Sequence, residues 1–331
     1  HLAWLHTWNY VIVAHFIEKF FSIIPKKIRR YFNIYIPEEI DYIFDISGFI
    51  YSDQFNSKAS VRVASYYEKR VLDGAKIILM PQAVGPFENP KIKYAVLKIF
   101  QLSNLIFIRD KISFDYFLKL DKNIKQAYLC PDFTFFIKEN DSRLNRKLVG
   151  KVCIIPNEKI FSSKKIIFEN YINTLNQVVS FCKNKNVEVF FLVHEAKKDL
   201  SLLKKVSSNL EHNIECIIEQ NPLKLKSIIK NSKFVVSSRY HGLISSLYQG
   251  VPIIATGWSH KYHQLLCEYD IESHMIEYAN ENNMKKLLDN MFNDKYVEKI
   301  KLKIDMENNR RKKRLDWMWG KIRSTLVPNK Y

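Results

Sequence analysis

Glycine is scarce in this chain, with eight among 331 residues, yet Gly242, Gly250 and Gly257 fall within one short stretch. That concentration implies constrained backbone geometry or close ligand approach there. The five cysteines, at 130, 153, 182, 216 and 267, form no CxxC pair and are odd in number, so no disulfide framework is expected. They read as buried apolar thiols of a reduced compartment. No uninterrupted run is long enough to span a bilayer: residues 2–17 are uncharged, but His6, Asn9 and His15 interrupt them and Glu18 and Lys19 follow. There is no basic leader and no small-residue cleavage site, which argues against a signal peptide. The chain opens on His1 without Met, and an upstream piece is expected to be missing.

Acidic residues are also in short supply, 34 against 52 Lys and Arg, for a formal charge of +18. Such an excess favours phosphate, carboxylate or anionic lipid as partners. Most of it reads as solvated helix surface, because the only basic cluster is Arg310, Arg311, Lys312, Lys313 and Arg314. With no zinc-finger spacing and no ribonucleoprotein-type aromatic motif, nucleic acid is not an expected partner. Residues 1–35 mix aromatics with Lys26, Lys27, Arg29 and Arg30, a pattern suited to an interfacial helix on an anionic membrane. Pro25 would break such a helix, and a core-packed helix with a basic tail is the preferred reading.

What is present is a chain of 47 % hydrophobic content, long enough for two domains. Strand-like runs at 42–46, 76–80, 105–108 and 126–130 alternate with amphipathic helical stretches, and a second set follows at 152–155, 187–193, 214–218, 234–236 and 252–255. This alternation predicts an α/β fold of two Rossmann-like domains built on parallel sheets, with a central cleft. The polar stretch 137–150 marks the boundary, giving domains at 1–140 and 150–290. A charge-rich helical segment, 291–331, is expected to pack back on the first domain.

Chemistry concentrates at predicted strand ends. The segment 233–261 runs strand, turn, helix, strand, and sets Ser238, Arg239, His241 and Gly242 where a strand gives way to a helix. Ligands of open parallel sheets bind outside the carboxyl ends of strands, and the first turn of the following helix favours anions. A charged fork and an imidazole at that place suggest an anionic substrate. Gly242 is expected to open the helix N-terminus to that ligand, and Gly250 to be a helix C-cap. The same placement recurs at Gly48, at Gln82 before a Gly-Pro turn, at Arg109, at Asp132 and at His194. Asp110 reads as an N-cap, whereas Arg109 has no comparable structural explanation. No metal site is expected, since His194 beside Glu195 is not closed-site spacing.

The segment SRYHGLISSLYQGVP, with Gly257 and Lys261 after it, resembles the signature of the polysaccharide pyruvyl transferase family. PQAVGPF, IFIRDKIS, CPDFTF and LVHEAKKD resemble further family segments in the same order, so the match is expected over roughly 41–290. Two features depart from it: the Gly- and Asn-containing strand turn typical of the family is not found, and Gly48-Phe49 stands where a Gly-Gly pair is usual. The resemblance implies a GT-B-like fold and transfer of pyruvate from phosphoenolpyruvate onto a sugar of a cell-surface polysaccharide, capsule or exopolysaccharide, or its precursor, as a ketal. On that basis Arg239 and Arg109 would bind the donor's anionic groups, helped by Ser238, Gly242 and, from the following loop, Lys261. His241 would act as general acid or orient the leaving phosphate, with Gln82, Gly48, Asp132 and His194 lining the cleft. Phosphoenolpyruvate would be a co-substrate and no cofactor is expected. The acceptor would be soluble or lipid-linked, and the enzyme cytoplasmic, with peripheral contact to the inner face of an anionic membrane. A GT-B glycosyltransferase using a nucleotide sugar, and a noncatalytic membrane-peripheral scaffold of a polysaccharide assembly complex, remain open beside it.

Overall fold

The structure is a computed structural model and describes residues 20–136, 146–157, 165–193, 206, 208, 214–256, 260–276 and 281–326. The chain divides into two compact units, one of residues 1–133 and 314–331, the other of residues 134–313. In the first unit, α1 (Lys26–Tyr31) and a short 3₁₀ turn (Pro37–Glu39) precede β1 (Tyr42–Asp45), α2 (Ser57–Leu72), β2 (Lys76–Gln82), α3 (Pro90–Leu102), β3 (Leu105–Ile108), α4 (Lys111–Leu120) and β4 (Ala127–Leu129). The four strands pair in parallel in the order β1-β2-β3-β4. Strand β2 is buried along nearly its whole length, as expected of a central strand covered on both faces. Helix α3 buries Ile92, Ala95, Val96, Ile99 and Phe100, one stripe at helical spacing, in the core with Ile77, Leu79 and Phe117.

The second unit carries β5 (Val152–Ile155), α5 (Lys165–Asn184), β6 (Val189–Val193), β7 (Glu215–Ile218), α6 (Pro222–Lys230), β8 (Val235–Ser237), α7 (Tyr240–Tyr248), β9 (Ile253–Ala255), α8 (His260–Glu268) and α9 (Glu281–Met291). Its sheet is all parallel in the order β7-β6-β5-β8-β9. The order reverses direction at β5, so the crevice at the carboxyl ends of β5 and β8 is the topological switch point of a doubly wound sheet. The core beneath it is built by Tyr171, Leu175, Val178, Val179 and Cys182 of α5 with Ile154, Phe191 and Val236 of the sheet.

Helix starts follow local chemistry. Asn56, Asn89 and Asn221 each accept a backbone N–H two residues on, and Pro90 and Pro222 occupy the first helical position, where a missing N–H costs nothing. Gly250 follows α7 with φ +73°, its N–H on Leu247 O at 3.0 Å, in the left-handed conformation that ends helices.

The long C-terminal helical segment divides into α9 and α10 (Asp294–Leu326). The break falls at Asn293, whose side chain accepts the N–H of Tyr296. From Arg314 onward α10 belongs to the first unit, where Tyr42 donates to Leu326 O at 2.8 Å and Trp317 meets Tyr128 edge-on. The basic cluster on α10 is partly consumed by structure. Arg310 and Arg311 both pair with Glu307, and Arg314 donates to Leu129 O while lying over Trp317. Among the described residues no helix is long and apolar enough to cross a membrane.

Two expectations need correction. Cys130, Cys153 and Cys182 are buried, but Cys216 and Cys267 are exposed, since the first lies on an edge strand and the second on the outer face of α8. Burial pushes the Cys130 and Cys182 thiols up to about 12, which makes them inert packing groups. The core-packed helix expected within 1–35 falls largely on residues 1–19, outside the described residues; in the described part Pro25 directly precedes α1, and Arg29 is the buried residue of 20–35. Lys261 belongs to α8, not to a loop.

Candidate functional site

At the switch point of the second sheet, β8 ends at Ser237 and Ser238 follows it, both fully buried. Ser237 Oγ accepts the Arg239 N–H at 3.0 Å and donates to Arg239 O at 3.0 Å, a local turn that releases the chain from the strand. Arg239 is the N-cap of α7, with extended backbone, so the residues after it begin the helix. The guanidinium reaches across to β5, its Nε donating to Pro156 O at 2.8 Å. The first amides of α7, from Tyr240, His241 and Gly242, stand at a helix N-terminus, where the backbone favours negative charge. His241 is exposed in that first turn, with its ring beside Tyr240.

Ser238 is the hub of this arrangement. Its carbonyl accepts Asn157 Nδ2 at 2.9 Å and the Tyr262 hydroxyl at 2.7 Å, and its Oγ lies 3.3 Å from the Tyr171 hydroxyl. Four segments, those carrying Pro156 and Asn157, Tyr171, Ser238 and Arg239, and Tyr262, are thus fixed to one another. Burial raises the Tyr171 and Tyr262 phenols above their ordinary values, so both stay neutral at working pH. Arg239 is therefore held by a rigid, neutral, hydrogen-bonded frame.

Gly242 has a different reason from the one expected. It is buried, and a Cβ there would stand 2.6 Å from Ser237 Oγ and 3.1 Å from Ile155 Cδ1. The missing side chain lets α7 pack onto β5 and β8, a reason for glycine that needs no ligand.

The first unit gathers its own residues at its strand ends. Gln82, buried at the end of β2, accepts the Arg109 N–H on its carbonyl at 2.9 Å, while its side-chain Oε1 lies 3.0 Å from Ser47 Oγ. Gly48, at φ +76°, gives its carbonyl to the Ala83 N–H at 2.9 Å. Arg109 does have a structural explanation after all: its Nη1 pairs with Asp132 Oδ2 at 3.4 Å, joining the ends of β3 and β4. Asp110 caps α4 through the Ser113 N–H at 2.8 Å. The buried Asp45, passed over in the sequence, accepts from Tyr51, from Tyr67 at 2.8 Å and from the Ser47 N–H at 2.9 Å. Together these bonds fix the loop that carries Gly48.

His194 and Gly257 lie outside the described residues, as does the side chain of Lys261. Among the described residues no three His, Cys, Asp or Glu side chains gather where they could hold a metal ion.

A family model for polysaccharide pyruvyl transferases matches residues 3–260. The chain belongs to that family. The match starts at residue 3 and stops at 260, where the motifs alone had pointed to 41–290. As a family member the chain is a transferase, and its Arg239-Tyr240-His241-Gly242 segment lies inside the matched region. No curated protein matches the sequence.

Among solved structures, this pyruvyl transferase is similar to a protein assigned as a UDP-N-acetylglucosamine 2-epimerase from Listeria monocytogenes. The TM-score is 0.56 at 12 % identity, over 86 % of this chain and 74 % of that one. It is also similar to the UDP-GlcNAc 2-epimerase of Neisseria meningitidis bound to UDP-GlcNAc, with TM-score 0.54 at 10 % identity, over 87 % of this chain and 75 % of that one. The Methanocaldococcus jannaschii enzyme in complex with UDP-GlcNAc and UDP gives 0.51 at 13 % identity, over 77 % and 70 %. These likenesses show the fold, which is GT-B-like, with two parallel α/β units.

Asn157, Tyr171 and Tyr262 were missed in the sequence. Asn157 carried a usable signal, since it follows Pro156 directly after β5 and so satisfies the same strand-end rule as Arg109 and Asp132. The two tyrosines sit inside helices and carried none.

Proposed function

We propose that this pyruvyl transferase moves the enolpyruvyl carbons of phosphoenolpyruvate onto two hydroxyls of a saccharide, forming a pyruvate ketal. The observation that supports the reading is the Arg239, His241 and α7 N-terminus arrangement at the switch point of the second sheet. Phosphoenolpyruvate carries a carboxylate and a phosphate on three carbons, and a charged fork beside a helix N-terminus suits one of those anions. The bond from Nε to Pro156 O holds the Arg239 guanidinium at a fixed orientation beside that helix end.

In the proposed reaction His241 donates a proton to the methylene carbon of the enol, which leaves C2 electrophilic. A sugar hydroxyl then forms the first C–O bond at C2 and loses its proton. The C2–O bond to phosphate breaks, phosphate departs with the bonding pair, and a second hydroxyl of the same sugar bonds to C2 and gives up its proton, closing the ketal. One phosphoenolpyruvate and two hydroxyls thus give one ketal and one phosphate, with no oxidation or reduction. The acceptor is proposed to be a soluble or lipid-linked precursor of a cell-surface polysaccharide. The compartment is proposed to be the cytoplasm, in keeping with the unpaired thiols of Cys130, Cys153 and Cys182.

The test is thermal stabilisation by phosphoenolpyruvate of the wild type and of Arg239→Ala. A ligand that binds only the folded state stabilises it by about 2.7 kcal/mol at a hundred times its Kd. Stabilisation of the wild type that is lost in Arg239→Ala supports the donor and its site together. Stabilisation by UDP-GlcNAc and none by phosphoenolpyruvate would replace this reading with a nucleotide-sugar enzyme, the chemistry named for the structural neighbours.

A further inference from the structure

The stretch 20–36 contains no acidic residue, and its large apolar side chains face outward: Phe20 is 64 % exposed, Ile23 79 %, Ile28 50 %, Tyr31 82 % and Phe32 64 %. Scattered exposed apolar residues are ordinary, but five within thirteen positions are not. This is no loose tail. Arg29 is buried and forks onto Glu39, Nη1 to Oε2 at 2.6 Å and Nη2 to Oε1 at 3.1 Å, while its Nε donates to Ile24 O at 2.9 Å. The Arg29 hydrogen bond is the largest influence holding the Glu39 carboxyl below its ordinary pKa, so the clamp is ionic across the neutral range. The carbonyl of Arg29 also takes the Ile34 N–H at 2.8 Å. The clamp fixes α1 by its one inward side chain and leaves the rest displayed.

Ile28 and Tyr31 of α1 and its C-cap Phe32 share a face by their three- and four-residue spacing. Lys26, Lys27 and Arg30 are exposed around it, Arg30 lying over the ring of Tyr35 at 4.4 Å and Lys26 Nζ standing 3.8 Å from Glu39 Oε1, the carboxylate that Arg29 already holds. Aromatic and aliphatic groups projecting between exposed cations complement a surface that is apolar beneath an anionic layer. We infer that residues 20–35 form a membrane-docking surface that seats this unit on an anionic lipid bilayer, with Ile28, Tyr31 and Phe32 entering the headgroup region and Lys26, Lys27 and Arg30 meeting lipid phosphates. This goes beyond the transferase reading and stands without it.

The experiment is co-sedimentation of the full chain with phosphatidylcholine vesicles, with and without phosphatidylglycerol, at low and raised salt. The protein partitions onto the phosphatidylglycerol vesicles and salt weakens the partitioning. Lys26→Gln/Lys27→Gln lowers it by about 25-fold, roughly fivefold per charge. Ile28→Ser/Tyr31→Ser/Phe32→Ser abolishes it with the melting temperature unchanged; if the triple variant melts early, Tyr31→Ser alone gives a measurable loss. Lys312→Gln/Lys313→Gln, two exposed cations elsewhere, leaves it unchanged. The inference is overturned if the wild type ignores anionic vesicles, if the apolar variants bind as well as the wild type, or if the distant lysine pair matters as much as Lys26 and Lys27. It is equally overturned if the wild type self-associates through this face and does not bind vesicles. Phosphoenolpyruvate binding is unaffected by any of these substitutions, so failure here and failure of the transferase reading are separable.

Discussion

The Tyr262 hydroxyl donates to the carbonyl of Ser238 at 2.7 Å, and Ser238 is the residue that hands the chain to Arg239. Asn157 Nδ2 shares that carbonyl at 2.9 Å. A helix far along the chain thereby sets the backbone from which the site's arginine projects. Tyr262→Phe keeps the ring and removes the donor, and should cost about 1 kcal/mol in a urea titration. Asn157→Ala should cost a similar amount. In the double variant the carbonyl is left without either side-chain donor, and the loss should exceed the sum of the singles by at least ~0.5 kcal/mol. Simple additivity would show that the two donors do not act on one acceptor.

His241 is exposed, so its removal should spare the fold while removing the proposed acid. A positioned general acid contributes about 10² to 10⁴-fold in rate, and His241→Ala should lower turnover within that range. Its stability should stay within ~0.5 kcal/mol of the wild type, as for ordinary surface substitutions. Single-turnover rates with phosphoenolpyruvate and an acceptor decide it: a folded His241→Ala with normal turnover removes His241 from the mechanism.

Gly242→Ala separates packing from ligand access. The added Cβ would lie 2.6 Å from Ser237 Oγ, closer than real Cβ contacts come, and both neighbours are buried. Overpacking of this kind costs about 1–3 kcal/mol, and the loss should appear with no ligand present. Ser237→Ala in the same chain removes the oxygen that is struck and should recover part of it. A Gly242→Ala protein as stable as the wild type, yet deaf to phosphoenolpyruvate, would restore the ligand-access explanation.

The fold was legible where periodicity is strong. All nine strand-like runs appear as parallel strands, the run at 76–80 as Lys76–Gln82 and that at 252–255 as Ile253–Ala255. Continuous apolar runs separated by amphipathic helices have few other ways to bury themselves. The site was legible where it is contiguous: Arg239, His241 and Gly242 are neighbours in sequence, and Gly250 announced its own cap. It was illegible where it depends on packing. Nothing about Tyr171 distinguishes it from the other residues of its buried stripe until Ser238 is seen beside it. The outward display of Tyr31 and Phe32 was hidden for the opposite reason, because an apolar residue in a sequence does not say whether anything covers it.

His274 supplies a pH dependence whose sign is fixed by its burial. Its Nδ1 lies 2.6 Å from Ile253 O and so carries the proton, which makes Nε2 the acceptor for the Tyr296 hydroxyl at 2.9 Å. Burial is the largest influence and lowers its pKa from 6.5; the bond to Ile253 opposes this and the Lys303 charge adds to it. The folded state thus holds a neutral imidazole where the unfolded chain would bind a proton. Stability is fully present above the unfolded value of 6.5 and falls as pH drops from there toward the lowered folded value, because the unfolded state binds more protons in that window. Melting temperatures of the wild type and His274→Gln between neutral and mildly acidic pH should show it, with the variant starting lower and declining less steeply. Parallel declines would mean that another group sets the acid limit of this unit.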